Sequence, residues 1–273
     1  MNRYTWRTFI LEALLIIAAV IFVSPFYVMV NVAIKSTNNT PDPLTPTLTP
    51  TFDNFVIAWN EAHLGNALTN TLIITVLSLT IVVFTAALAG YAIARSTSRW
   101  SRAAFIAFIL GLLLPFQLAT IPLYQLMRSL DLLGTLWSLV LYYSAVLLPF
   151  SIFLYASFLR ALPRDYEEAA EVDGAGHLRT FFLVVFPMMR AVTGTVIILN
   201  AVNVWNDFFT PRLYLAGSGV ETVTVALFAY VGQYSTQWPL IFGGLIIATI
   251  PILVMFLILQ KKVIEGFAGG LKG

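Results

Sequence analysis

Asn200, Asn203 and Asp207 recur at i, i+3 and i+7 within a strongly apolar run, a spacing that puts all three on one face of a helix. A carboxylate in such a run costs a few kcal/mol on insertion scales and turns toward a partner helix or a wet cavity. These side chains can line a path for a polar solute, bond to a neighbouring helix or cap a helix end. Other polar groups sit in similar company. One run holds Gln117, Thr120, Tyr124 and Gln125 between and beside Pro115 and Pro122, and the next holds Tyr142, Tyr143, Ser144, Ser151 and Tyr155. Two prolines seven residues apart free backbone carbonyls that neighbours must satisfy, as in a kinked helix beside a cavity. Hydroxyls, amides and aromatic faces suit a sugar, although Tyr is equally at home as an interface anchor. Gln117, Thr120, Tyr124, Tyr143, Ser151, Asn200, Asn203 and Asp207 are therefore the candidates for a solute pathway.

Several other chemistries are excluded. The chain has no cysteine, hence no disulfide or thiolate metal site, and its two histidines, His63 and His177, are too few for a site built on three histidines. No G-x-x-x-x-G-K-[ST] loop occurs, so the chain has no phosphate cradle of that kind. A formal net charge of +2 is too small to argue for nucleic acid.

The elements that must position these residues are membrane helices. Hydrophobic residues make up 59% of the 273 and charged ones 10%, with a mean hydropathy of +0.86; soluble domains carry about 25% charged residues. A span needs roughly 20 mostly apolar residues. Six stretches qualify, at about 12–34, 69–94, 103–127, 136–160, 190–211 and 239–260. The first follows Arg3 and Arg7 but is long and lacks a small-x-small cleavage site, so it reads as a retained span rather than a signal peptide. With the N-terminus in the cytoplasm, 12 Lys and Arg fall inside and three (Lys35, Arg128, Arg212) outside. That bias predicts an all-α integral membrane protein of six spans with both termini cytoplasmic, forming a single domain over 1–273. Asp53–Trp59 reads as a short interfacial helix in the outer loop 36–66.

A charged, Gly-broken segment, about 163–187, separates the fourth and fifth spans. Pro163 suits a helix start, and Asp165, Glu167 and Glu168 suit the positive end of a helix dipole. Tyr166, Ala169, Ala170 and Asp173 fall on one face, and Glu168, Glu171 and Val172 on another. Gly174 and Gly176 break this helix; a second, about 177–186, carries Phe181, Phe182, Val185 and Phe186 and is expected to end at Pro187. Two short helices bent at a Gly-Ala corner suit a groove on a soluble partner. The alternative is an amphipathic loop on lipid headgroups, which its acidic first half disfavours.

Glu168-Ala169-Ala170, Asp173-Gly174-Ala175, Phe181 and Pro187 resemble in type and spacing the "EAA" signature of membrane subunits of ABC importers. Trp205-Asn206-Asp207 and the tail Glu265–Gly273 are similar to the carbohydrate-uptake branch, and within it to the second, six-span permease of maltose-type systems. The likeness runs from about residue 65 to the C-terminus. Where the family often has a second proline shortly after the one matching Pro187, this chain has Met188-Met189-Arg190-Ala191.

The resemblance implies a type I importer permease fold with no catalytic or metal site of its own, working by alternating access. ATP and Mg²⁺ would be held by a partner ATPase dimer. The other partners implied are a second permease, an extracytoplasmic solute-binding protein and the lipid bilayer of a bacterial or archaeal inner membrane; nucleic acid is not among them. Glu168 would pair with basic groups on the ATPase, Ala169 and Ala170 would allow close approach, and Gly174 would permit the turn. Asp173, Ala175, Phe181 and Pro187 complete that coupling segment. Glu265, Gly266, Lys272 and Gly273 would reach between the ATPase subunits, and Gly232, Gln233, Tyr234 and Gln237 toward the binding protein. A sugar or oligosaccharide is the expected cargo. Glycerol phosphate in the same machinery is the rival, disfavoured because no Lys or Arg lies within the spans away from their ends. An ion-coupled secondary transporter is a rival of another class; it needs carboxylates near the bilayer midplane, and only Asp207, off-centre, is available.

Overall fold

The computed structural model describes residues 5–36, 42–113, 115–231 and 237–270, with side chains described as far as Gln260 except at 116 and 117. Within them the regular structure is helical, without a β-strand. The helices are α1 (Trp6–Ala33), α2 (Asp53–Glu61), α3 (Leu64–Arg95), α4 (Arg99–Leu113), α5 (Thr120–Ser129), α6 (Leu136–Val146), α7 (Leu148–Ala161) and α8 (Asp165–Val172). There follow α9 (His177–Thr180), α10 (Phe186–Met188), α11 (Arg190–Asn206), α12 (Phe209–Tyr214), α13 (Val223–Phe228) and α14 (Trp238–Gly270).

Among the described residues, three helices are long and apolar enough to cross a membrane unaided: Trp6–Ala33, Leu64–Arg95 and Trp238–Gln260. Each is longer than the apolar run that predicts it, because polar end residues still take helical geometry. At the start of α1, for example, Thr5 accepts the Thr8 N–H at 3.4 Å as an N-cap. Two further candidates are bent pairs. The fourth predicted span is Leu136–Val146 plus Leu148–Ala161, bent by 41°. Pro149 near the start of α7 has no N–H to continue the ladder. The other pair is His177–Met188 plus Arg190–Asn206, bent by 73°: its first arm is the predicted second helix of the coupling segment, and its second is the fifth predicted span, 190–211, which ends as a continuous helix at Asn206.

The third predicted span, 103–127, is not one continuous helix. It divides into α4, a 3₁₀ turn over Phe116–Ala119, and α5, a break that follows from Pro115, which cannot continue an α-helix from within. The predicted coupling segment also differs at its end. The second short helix does not stop at Pro187: a π-turn over Phe181–Val185, closed by the Phe186 N–H on the Phe181 carbonyl, leads into α10, and the break falls at Met189. The wider turn precedes the proline that lacks an N–H. The bend therefore forms without the family's second proline.

The fold divides into two units. The first comprises 1–65 and 226–250. In it the segment after α1 is strapped to the helix end. Asn31 donates to the Pro43 and Thr45 carbonyls at 2.9 Å each and accepts from Thr47 N–H at 3.1 Å. Asn54 on α2 donates to the Ala33 and Lys35 carbonyls at 2.7 and 2.6 Å. The Thr45 hydroxyl and the Leu44 N–H hold the Asp42 carboxyl below its usual range.

The second unit comprises 66–225 and 251–273. One core cluster packs Val82, Ala86, Ala87, Tyr155, Ala156, Leu159, Phe181, Val185, Met189 and Val192. A second gathers Ile74, Met127, Leu139, Val140, Tyr142, Tyr143, Val204 and Tyr214. At Gly90 a Cβ would stand 2.7 Å from the Tyr155 Cβ and 3.1 Å from the Ala156 nitrogen, so α3 and α7 meet backbone to backbone there. Arg160 on α7 lies 4.0 Å above the Phe105 ring of α4, a cation–π contact. Along α3 the hydroxyls bond within the helix. Thr71, Thr75, Ser78, Thr80 and Thr85 donate to the carbonyls four residues earlier, at 2.8, 2.7, 2.5, 2.7 and 2.6 Å.

Candidate functional site

The Gly-broken segment is the best-defined polar structure of the second unit. α8 ends in a Schellman motif. The Ala175 N–H bonds to the Ala170 carbonyl at 2.9 Å and the Gly174 N–H to that of Glu171 at 3.0 Å, with Gly174 at φ +82°. A Cβ at Gly174 would meet nothing, so conformation rather than space selects glycine there. Thr180 N–H then bonds to the Gly176 carbonyl at 2.9 Å and starts the next turn.

Glu168, Ala169, Asp173 and Gly174 are exposed, and Ala170 and Ala175 partly so. Apolar side chains stand out beside them: Val172 is 88% exposed, Leu178 70% and Tyr166 52%. Phe181 is buried, and Pro187 is exposed at the surface. Glu171 lies 3.4 Å from His177, both largely exposed.

The buried residue of α8 is Glu167, which in the sequence stands out only as one of three acids at a helix start. Its carboxylate takes the Arg95 guanidinium at 2.6 Å from Nη2 and 2.7 Å from Nε, both on Oε1, while the Tyr91 hydroxyl donates to Oε2 at 3.0 Å. Arg95 also donates to the Leu159 and Leu162 carbonyls at 2.7 and 3.2 Å. Tyr91 lies 5.2 Å from the Phe181 ring, and Phe84 stacks on Phe186 at 5.7 Å. An arginine closing a 32-residue helix that is otherwise free of charge is the signal that could have flagged the cluster.

The candidate pathway residues do not share one surface. Asn203 and Asp207 line a cleft of about 550 Å³ with Tyr142, Tyr143, Val146, Leu147 and Phe209. Asn200, expected on the same face, is buried against α7: its Nδ2 donates to the Ser151 Oγ at 2.9 Å, and its Oδ1 has no partner among the described residues. Ser151 in turn donates to the Leu147 carbonyl at 2.8 Å. The two ends of the i, i+3, i+7 set lie about 10 Å apart along the axis, and at the level of Asn200 the shared face meets Ser151 of α7 instead of the cleft.

Asp207 ends α11. It accepts from the Tyr143 hydroxyl at 2.9 Å and the Thr210 N–H at 3.2 Å, and its carbonyl accepts from the Thr224 hydroxyl at 2.8 Å. Its carboxylate thus caps the turn into α12 while standing at the cleft. Tyr124 is part-buried in edge contact with Tyr214 at 5.9 Å, and Thr120 opens α5, part-buried. The Gln117 side chain is outside the described residues, as are Gly232, Gln233, Tyr234, Lys272 and Gly273. The Gln237 N–H bonds to the Tyr230 carbonyl at 3.2 Å. Glu265 and Gly266, expected in a tail, continue the α14 helix.

Residues 83–263 match the family described as "Binding-protein-dependent transport system inner membrane component". The melibiose/raffinose/stachyose import permease protein MelC of Bacillus subtilis (strain 168) is 31% identical over 97% of each chain. The multiple sugar-binding transport system permease protein MsmG of Streptococcus mutans serotype c is 33% identical over 98% of this chain and 96% of its own. The fold is similar to a chain in the crystal structure of a bacterial ABC transporter involved in the import of the acidic polysaccharide alginate. The TM-score is 0.82 at 20% identity, covering 96% of this chain and 99% of that one.

Proposed function

Since this chain belongs to the binding-protein-dependent transport system inner membrane components and is a multi-pass membrane protein, we propose that it is one permease of an ATP-driven importer of a sugar or oligosaccharide. The observation that carries this reading is the exposed, Gly-turned segment from α8 to α10, which presents Glu168, Ala169, Asp173, Val172 and Leu178 for docking. Relatives named for melibiose, raffinose and stachyose or for multiple sugars support the cargo class.

In this reading the chain forms one permease domain of six spans with both termini in the cytoplasm of a bacterial or archaeal cell. The broken stretch α4–α5 serves as the third span. A second permease, an ATPase dimer and an extracytoplasmic binding protein complete the assembly, and ATP and Mg²⁺ reside on the ATPase. Glu168 pairs with a basic group there; Ala170, Ala175, Phe181 and Pro187 shape the segment. Closure of the ATPase dimer draws the coupling segments together, and the spans turn to open the cavity toward the binding protein. The cleft at Tyr143, Asn203 and Asp207 offers hydroxyl, amide and carboxylate groups to a neutral polar solute. Gly232, Gln233, Tyr234 and Gln237 contact the binding protein, and Glu265, Gly266, Lys272 and Gly273 contact the ATPase.

The test is the purified complex with binding-protein-dependent ATP hydrolysis as the readout, wild type beside Glu168→Arg. Co-purification of an ATPase and loss of stimulation in the variant support the reading. A chain that purifies without an ATPase and carries solute in liposomes on an ion gradient would sink it.

A further inference from the structure

The Glu167 cluster joins three elements at one point, and nothing in a docking surface requires it. Arg95 is the last residue of α3, Leu159 and Leu162 are the end of α7, and Glu167 is the inward side chain of α8. The two charges are 13% and 11% exposed at their side chains. Among the described residues the guanidinium bonds to α8 and to the end of α7, and the carboxylate is held on both oxygens. Further ties run in parallel: the Arg164 guanidinium reaches the Arg95 carbonyl at 3.4 Å, and the Tyr91 ring bears on Phe181 beyond the glycine turn. Both halves of the exposed segment are therefore fastened to the last turns of α3. Through Arg95 and the Gly90 contact, α3 is in turn fastened to α7.

Charge-assisted bonds on a planar guanidinium fix direction as well as distance. A lysine would supply a point charge and could not hold Glu167 and two carbonyls in this arrangement at once. Displacement of α8 must then either carry the ends of α3 and α7 with it or break a buried ion pair. Removing one partner of such a pair leaves an uncompensated charge, so moving together is the cheaper response.

We propose that Arg95, Glu167 and Tyr91 form a clamp that transmits movement of the docking segment to α3 and α7. They are positioning residues that touch neither nucleotide nor solute. This rests on the importer reading above. It adds that the stroke enters the bundle through α3 and α7 rather than through the covalent connection to α11, where the chain bends by 73° at Met189.

The experiment uses the whole complex in lipid nanodiscs with cysteine-free partners. This chain has no cysteine, so Ala92→Cys on α3 and Asp165→Cys at the start of α8, both exposed, take a pair of spin labels. The distance between them is measured without nucleotide and with a non-hydrolysable ATP analogue and Mg²⁺. In the wild-type background the distribution should be the same in both states, because α8 and α3 move as one body. In Glu167→Ala it should shift or broaden with nucleotide, and the ratio of binding-protein-stimulated to unstimulated ATP hydrolysis should fall about tenfold, within the range by which residues between coupled sites alter coupling. Glu167→Gln, which keeps one oxygen to accept from Arg95 and turns an amide N–H to the Tyr91 hydroxyl but loses the charge, should recover part of that ratio. If Glu167→Ala fails to assemble, Tyr91→Phe removes one hydroxyl, keeps the ring on Phe181 and should give a smaller change in the same direction. A cluster that only stabilises the fold would lower the melting temperature yet leave the distances and the ratio at wild-type values; that result overturns the proposal. A wild-type complex without an ATPase, or without stimulation, overturns the importer reading itself, and the clamp with it.

Discussion

Replacing Gly90 with alanine tests the closest helix contact in the second unit. The added Cβ would stand 2.7 Å from the Tyr155 Cβ, 3.1 Å from the Ala156 nitrogen and 3.4 Å from the Tyr155 carbonyl carbon. Carbon atoms rest at about 3.5–4.0 Å, so α3 and α7 must separate by roughly 1 Å at this level. Two of the three opposing atoms are backbone, and no rotamer change can relieve them. Overpacking of this kind costs about 1–3 kcal/mol. Alanine also stiffens a helix by about 1 kcal/mol relative to glycine, which masks part of the loss. Gly111 in α4 removes that ambiguity, because a Cβ there meets nothing within 4 Å. Gly111→Ala should show the propensity gain alone, and subtracting the two variants leaves the steric cost, about 1–3 kcal/mol. Reversible unfolding of the purified chain in mixed micelles, titrated with a denaturing detergent, measures both. Equal stabilities for the two variants, within about 0.5 kcal/mol, would refute the backbone-to-backbone contact.

Three further outcomes follow from the same geometry. Gly174→Ala forces an L-residue to φ +82° at a cost of about 1–2 kcal/mol, and should impair ATPase stimulation more than assembly, read by hydrolysis assays beside co-purification yield. Asp207→Ala removes the acceptor for the Thr210 N–H and the Tyr143 hydroxyl and should cost about 0.5–2 kcal/mol of stability; Asp207→Asn, which keeps an acceptor oxygen, should cost less in the same unfolding titration. Arg160→Gln removes the cation over Phe105 and should lower stability by about 0.5–1 kcal/mol, with no effect when Phe105 is already alanine in a double-mutant cycle.

The parts of this fold that sequence could reveal are those set by unbroken runs. α1, α3 and α14 are long because nothing in them argues otherwise, apart from Pro25 and Pro251, which the helices absorb. The glycine turn at 174 was readable because a positive φ demands a residue without a side chain. The bends were legible only in part. Pro115 and Pro122 mark a kink and Pro187 a helix end two residues from the observed break, but Pro149 lies inside an apolar stretch, and hydropathy sums over such a stretch without registering where its hydrogen bonds stop. Met189 itself is no marker residue; the π-turn over Phe181–Val185 and the burial of Met189 set the break there, and these are tertiary facts.

The candidate site divides in the same way. Glu168 stands exposed, as its pattern predicts. Glu167 beside it faces inward, because its partner Arg95 lies 72 residues earlier, and no periodicity within α8 encodes so distant a neighbour. Asn200 and Asp207 diverge because spacing along a helix fixes an angle, whereas a cleft is made by two or more helices.

The self-bonded hydroxyls of α3 bear on how this chain is built in the cell. Thr71, Thr75, Ser78, Thr80 and Thr85 each spend their proton on a carbonyl of their own helix. These five donors need no other helix, and inside hydrocarbon an unmet donor is what makes a lone polar segment costly. α3 can therefore enter the bilayer before its neighbours exist and wait there without a chaperoning contact. Its two ends are completed later and in steps: Arg95 meets the Leu159 and Leu162 carbonyls when α7 ends and Glu167 when α8 follows, while Asn70 waits for the Glu221 carbonyl, so the join to the docking segment is made before the opposite end of α3 is closed.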